Sequence, residues 1–130
     1  MSRSTTAAAV LAAVALTLAG CGSDDVFRTS RPILRMTLDE YRIVPQSVEV
    51  QPGRMKLVVR NVGRLTHNLV VQEPDGPGDG PATVAKVDTM QPGQTAPPIK
   101  VTLAPGEYRL VCTIANHDDL GQFGTLKVQG

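Results

Sequence analysis

The segment Cys112-Thr113-Ile114-Ala115-Asn116-His117-Asp118-Asp119-Leu120-Gly121-Gln122 offers a thiol, an imidazole and an amide oxygen at intervals of five residues. On a helix each step of five turns a side chain by roughly 140°, so no one face would collect the three groups. A chain that leaves a strand and doubles back through a loop can bring them together. A second histidine, His67, completes a set of two imidazoles, one thiolate and one weak amide donor. This is the donor set with which a single copper ion carries out electron transfer. The thiolate gives a short covalent path for the electron, and imidazoles suit copper in either oxidation state. A weak axial donor leaves the ion between the geometries that Cu(I) and Cu(II) prefer. Taken singly, His67 reads as a strand histidine, His117 as a loop histidine and Gln122 as a turn residue. The joint spacing and the glycines around Gln122 lift them above that.

The N-terminus supplies a context for the thiol. One cation, Arg3, precedes an apolar run from about Ala7 to Leu18, and Leu18-Ala19-Gly20-Cys21 follows. A short cationic start, an apolar run and small residues describe an export signal. The run falls short of the roughly 20 apolar residues of a membrane span. The four closing residues resemble the lipobox of bacterial lipoproteins, which implies acylation of Cys21 as the new first residue. The alternative is an ordinary signal peptide with Cys21 as a bystander. The chain is thus expected to divide into a signal peptide (1–20), a lipidated tether (21–32) and a folded domain (33–130). Exported proteins tend to pair their cysteines. With Cys21 lipidated, Cys112 has no partner, and a bound metal would occupy it; the plain alternative is a buried, inert strand cysteine. Cleavage before Cys21 leaves 12 basic and 12 acidic side chains, so nothing points to nucleic acid.

Beyond the tether the pattern alternates at period two, the mark of half-buried strands. Leu34, Met36 and Leu38 share one face; Val48 and Val50 alternate with Ser47, Glu49 and Gln51. Met55 to Asn61 is the most apolar strand and is expected to be central. His67, Leu69 and Val71 share a parity, so the histidine should point to the buried side. Residues 73–81, dense in proline and glycine, read as an exposed loop. Thr83 to Met90 is a weaker strand, followed by Ile99 to Leu103, Arg109 to Cys112 and Phe123 to Val128. Tyr108, after the Ala104-Pro105-Gly106 turn, resembles a tyrosine corner, in which the hydroxyl ties back to upstream backbone. The expectation is an all-β, antiparallel Greek-key sandwich of seven to eight strands.

Over roughly Leu34 to Val128 the chain resembles the cupredoxin family. His67-Asn68 matches the family's first histidine and the asparagine after it, which commonly braces the ligand loops. Cys112 and His117, with four residues between them, match its cysteine and second histidine. Gly121-Gln122-Phe123-Gly124-Thr125-Leu126 matches the segment that bears the axial ligand. The resemblance implies one type 1 copper ion on His67, Cys112, His117 and Gln122, with Asn68 behind them. Two departures stand out. Gln122 replaces the usual methionine, as in the stellacyanin branch, and its harder oxygen should favour Cu(II) and lower the potential. Ala115-Asn116 replaces the Pro-Gly that often precedes the second histidine.

The function this implies is a one-electron carrier, not an enzyme, lipid-anchored on the extracytoplasmic face of a bacterial membrane. It would be a monomer that meets a redox protein. Asp118 and Asp119 would favour a cationic docking face on that partner, or are simply solvated loop residues. The alternatives are a copper storage or delivery lipoprotein and a metal-free surface interaction module. Met36, Met55 and Met90 are too scattered to form a copper-carrier cluster.

Overall fold

The computed structural model describes residues 25–130; the expected signal peptide and Cys21 lie outside the described residues. Ten strands form, with no helix among the described residues: β1 (Val26–Thr29), β2 (Ile33–Asp39), β3 (Arg42–Val44), β4 (Ser47–Val50), β5 (Gly53–Asn61), β6 (His67–Glu73), β7 (Ala82–Met90), β8 (Ile99–Leu103), β9 (Gly106–Val111) and β10 (Phe123–Val128). A six-stranded sheet runs β1-β4-β10-β9-β6-β7 and a four-stranded sheet runs β3-β2-β5-β8.

Three expectations need correction. Residues 26–29, expected as tether, form β1, which adds to β4 in parallel with Phe27 opposite Val48. The short β3 also escaped the count, because only Ile43 of its three residues is buried and no alternation can show. Pairing is mixed, not purely antiparallel: β1 with β4, β4 with β10 and β2 with β5 are parallel. Successive strands often cross between sheets instead of folding back as hairpins, so strands meeting within a sheet can point the same way.

The core lies between the sheets and is almost wholly aliphatic. Leu34, Met36 and Leu38 of β2 meet Met55, Leu57 and Val59 of β5 and Val101 and Leu103 of β8. From the other sheet come Val48, Leu69, Val71, Leu110, Leu126 and Val128. Burying each such side chain contributes about 1.5–3 kcal/mol before chain entropy is set against it. Met55–Asn61 takes the inner place expected of it, between β2 and β8. Residues 74–81 form the loop between β6 and β7, exposed but for the half-buried Gly76; Glu73 still belongs to β6.

The Tyr108 hydroxyl donates to the carbonyl of Ala104 at 2.9 Å, closing the expected corner before β9. That strand ends at Val111, immediately before Cys112, so the corner fixes the approach of the thiol. Tyr108→Phe keeps the ring and loses this bond; urea unfolding should show a loss of about 1 kcal/mol.

Candidate metal centre

The donors come from three places in the chain. His67 opens β6, where pairing with β7 slips by one residue between His67–Met90 and Leu69–Val87. Such irregularities re-aim side chains. Here both His67 and its neighbour Asn68 are buried, as are Leu69, Val70 and Val71. The strand is therefore covered on both faces, where strict alternation predicts one.

Cys112 follows β9, and the chain then turns through a compact loop. Its backbone amides close on themselves: His117 N–H donates to Ile114, Gln122 N–H to His117, and Cys112 N–H to Gln122. Gly121 has a φ of 113°, a conformation side chains avoid, and an added Cβ would lie 3.3 Å from the Tyr41 carbonyl. At Gly124 a methyl group would collide with the Gln46 carbonyl, so β10 packs tight against the end of β3–β4. Among the described residues, two non-glycine positions have positive φ: Ala115 at 47° and Tyr41 at 62°. Both sit in the loops around the centre, where sparsely populated backbone tends to be retained.

His67, Cys112 and His117 meet. Their ligand atoms all lie within 4.8 Å of one another. The Cys112 sulfur is 3.7 Å from His117 Nδ1, and the two imidazole rings are 5.1 Å apart between centroids. Gln122 lies at the same end. Its Nε2 donates to the carbonyls of Asp39 at 2.8 Å and Arg42 at 3.3 Å. Two acceptors on that side fix the amide's sense, so Oε1 is the atom left over. It is fully buried and has no hydrogen-bond partner, and neither has either ring nitrogen of His67. Buried polar atoms without partners cost roughly 1–3 kcal/mol each. Such atoms gathered at one end of the sandwich, beside a buried free thiol, form a donor set that suits a metal ion. Two imidazoles, a thiolate and an amide oxygen suit a soft or borderline ion held singly.

The surrounding residues hold the donors in place. Asn68 Nδ2 donates to the Thr113 hydroxyl at 2.9 Å and its Oδ1 accepts from Thr113 N–H at 2.8 Å, joining β6 to the loop after Cys112. Glu40 accepts from the amides of Arg64 and Leu65 and brings a carboxylate oxygen to 3.9 Å from His67 Nε2. Those two amides hold its carboxyl below the usual range. Tyr41 presents its ring edge to His117 with centroids 5.5 Å apart. Sequence reasoning missed Glu40, Tyr41 and Thr113. No local pattern marks them, since each acts on residues distant in sequence. Asp118 lies 3.7 Å from Arg109, so part of the acidic pair is neutralised within the protein, while Asp119 is exposed.

Burial pushes His67 below its ordinary value of 6.5, the nearby His117 adds to this, and Glu40 opposes it. The unfolded chain therefore binds the proton more readily than the fold does. Metal-free protein should keep its full stability above about pH 6.5 and lose some as pH falls from there toward the lowered folded value. Thermal melts across that window should show the loss, and His67→Gln should flatten it.

No family model matches the sequence, and no curated protein matches it. Solved structures do match the fold. The auracyanin of the photosynthetic bacterium Roseiflexus castenholzii superposes with a TM-score of 0.68 at 21% identity, covering 78% of this chain and 100% of that one. Auracyanin A of Chloroflexus aurantiacus, a "blue" copper protein, gives 0.60 at 17%, covering 75% and 99%. Reduced rusticyanin gives 0.63 at 18%, covering 85% and 89%. The chain therefore has the cupredoxin fold.

Proposed function

We propose that the protein is a one-electron carrier whose resident group is a single type 1 copper ion. The observation that carries this reading is the meeting of His67, Cys112 and His117, whose ligand atoms lie within 4.8 Å of one another, with the buried, unpartnered Gln122 Oε1 at the same end. His67, Cys112 and His117 would hold the ion, with Gln122 as the weak axial donor. Copper bound there supplies a Cu(II)/Cu(I) couple of low reorganisation.

The chain's own residues serve that couple in identifiable ways. His67, Cys112 and Gln122 have no solvent exposure, which excludes water and opposes exchange of the metal. That favours a carrier over a delivery protein. His117 is 9% exposed and the other three have none, so among the four donors it is the contact with the outside and the route for the electron. Leu65 and Leu120 are exposed on the loops that bear the donors and provide an apolar rim for a redox partner. Asp119 and the half-neutralised Asp118 favour a partner with a cationic docking face. With four donors in use no position is open to substrate, so the protein performs no substrate chemistry of its own. Lipid on Cys21 would anchor the domain to the extracytoplasmic face of a bacterial membrane.

Adding Cu(II) to the metal-free protein should give an intense visible thiolate-to-copper band and reversible one-electron electrochemistry. Cys112→Ser should abolish the band. A colourless protein that takes up zinc with equal avidity would overturn the reading. Gln122→Met should raise the potential, by about 59 mV for each tenfold gain of Cu(I) over Cu(II) affinity. It also removes the donations to Asp39 and Arg42, so the metal-free form should be destabilised by about 1–2 kcal/mol.

A further inference from the structure

The outward faces of the two sheets carry charge differently. On the six-stranded sheet the register sets opposite signs side by side. Glu49 lies between Arg28 of β1 and Lys127 of β10, and Glu107 of β9 stands opposite Lys127. Arg28 Nε donates to Glu49 at 2.6 Å. On the four-stranded sheet, burial of alternate residues of β2, β5 and β8 sends Arg35, Arg54, Lys56, Arg60 and Lys100 outward, all exposed. The acid at an outward position of these strands is Asp39, and Arg42 already pairs with it. None of the five cations has an ion-pair partner among the described residues. Lys56 and Lys100 even stand directly opposite each other, an arrangement that weakens a sheet. Toward the N-terminal flank, Phe27 and Ile33 are 47% and 40% exposed and share a groove with Arg31 and Arg35.

We propose that this face docks on an anionic phospholipid surface. Its cations are spread over a sheet face, around two shallow open hollows, one beside Arg35 and Arg60 and one beside Arg54, Lys56 and Lys100, and the exposed aromatic and aliphatic residues lie along one flank. Such a mixture matches the headgroup layer of a bilayer. The chain ahead of the fold favours the same occupant. Cys21 is five residues before Val26, and at no more than about 3.6 Å per residue a lipid there would hold β1 within about 18 Å of the bilayer. Docking by the sheet's face also leaves the His117 end free, because β2 and β5 both run lengthwise toward the loops that carry the donors.

The test uses residues 25–130, which contain both sheets and the whole core, without the N-terminal anchor and without copper, so its outcome is independent of the copper reading. The protein should sediment with vesicles of phosphatidylcholine mixed with phosphatidylglycerol, not with phosphatidylcholine alone, and added salt should release it. Lys56→Gln with Lys100→Gln should weaken partition about 25-fold, roughly fivefold for each cation. Lys86→Gln with Lys127→Gln makes the same change in net charge elsewhere and should leave binding unchanged. Equal loss in both pairs would reduce the effect to net charge and overturn the proposal. So would failure to bind phosphatidylglycerol, or binding to polyglutamate in preference to vesicles, which would assign the face to an acidic protein.

Discussion

The centre depends on a buried amide whose two ends face different tasks. Gln122 Nε2 is bound to carbonyls at the β2–β3 turn, and its Oε1 is left without a partner among histidine and cysteine side chains. Its own backbone takes part as well, donating to His117 and accepting from Cys112. One residue thus ties together the thiol, the second imidazole and the opposite sheet. Such a junction keeps donors in place without a metal, and little then has to move when the charge on a bound ion changes. The desolvation of those groups works against the fold until something coordinates them.

Around that junction the sandwich acts as a rigid frame. Asn68 fastens the first strand of the site to the loop after Cys112, and Glu40 fastens the β2–β3 turn to the chain leading into His67. The polar bonds that hold the site are therefore made between elements distant in sequence. Exposure is rationed in the same region: His67, Cys112 and Gln122 are sealed, and His117 keeps a small exposed fraction. Opening and insulation are settled by one loop, whose positive-φ residues Ala115 and Gly121 set its path.

Much of this was legible in the residues. Alternation located β2, β4 and β8, apolar content located β5, and the spacing of Cys112, His117 and Gln122 with His67 indicated which side chains the structure brings to one end. The tyrosine corner followed from Tyr108 after a Pro-Gly turn. The misses have physical causes. The segment 26–29 alternates too weakly to read as a strand, because as an edge it buries little. Parallel pairing depends on how the chain crosses between sheets, which periodicity does not encode. Glu40, Tyr41 and Thr113 gain their roles only once the fold sets them beside the histidines, Asn68 and the donor loop.

The parallel strand β1 has a mechanical meaning as well. It is the outermost strand of its sheet and the first of the fold, held by a four-residue ladder to β4. Tension transmitted along the N-terminal chain reaches that ladder before any other part of the body. Its ladder is made to β4 alone, so parting it breaks no pairing of the strands that flank the loop bearing Cys112.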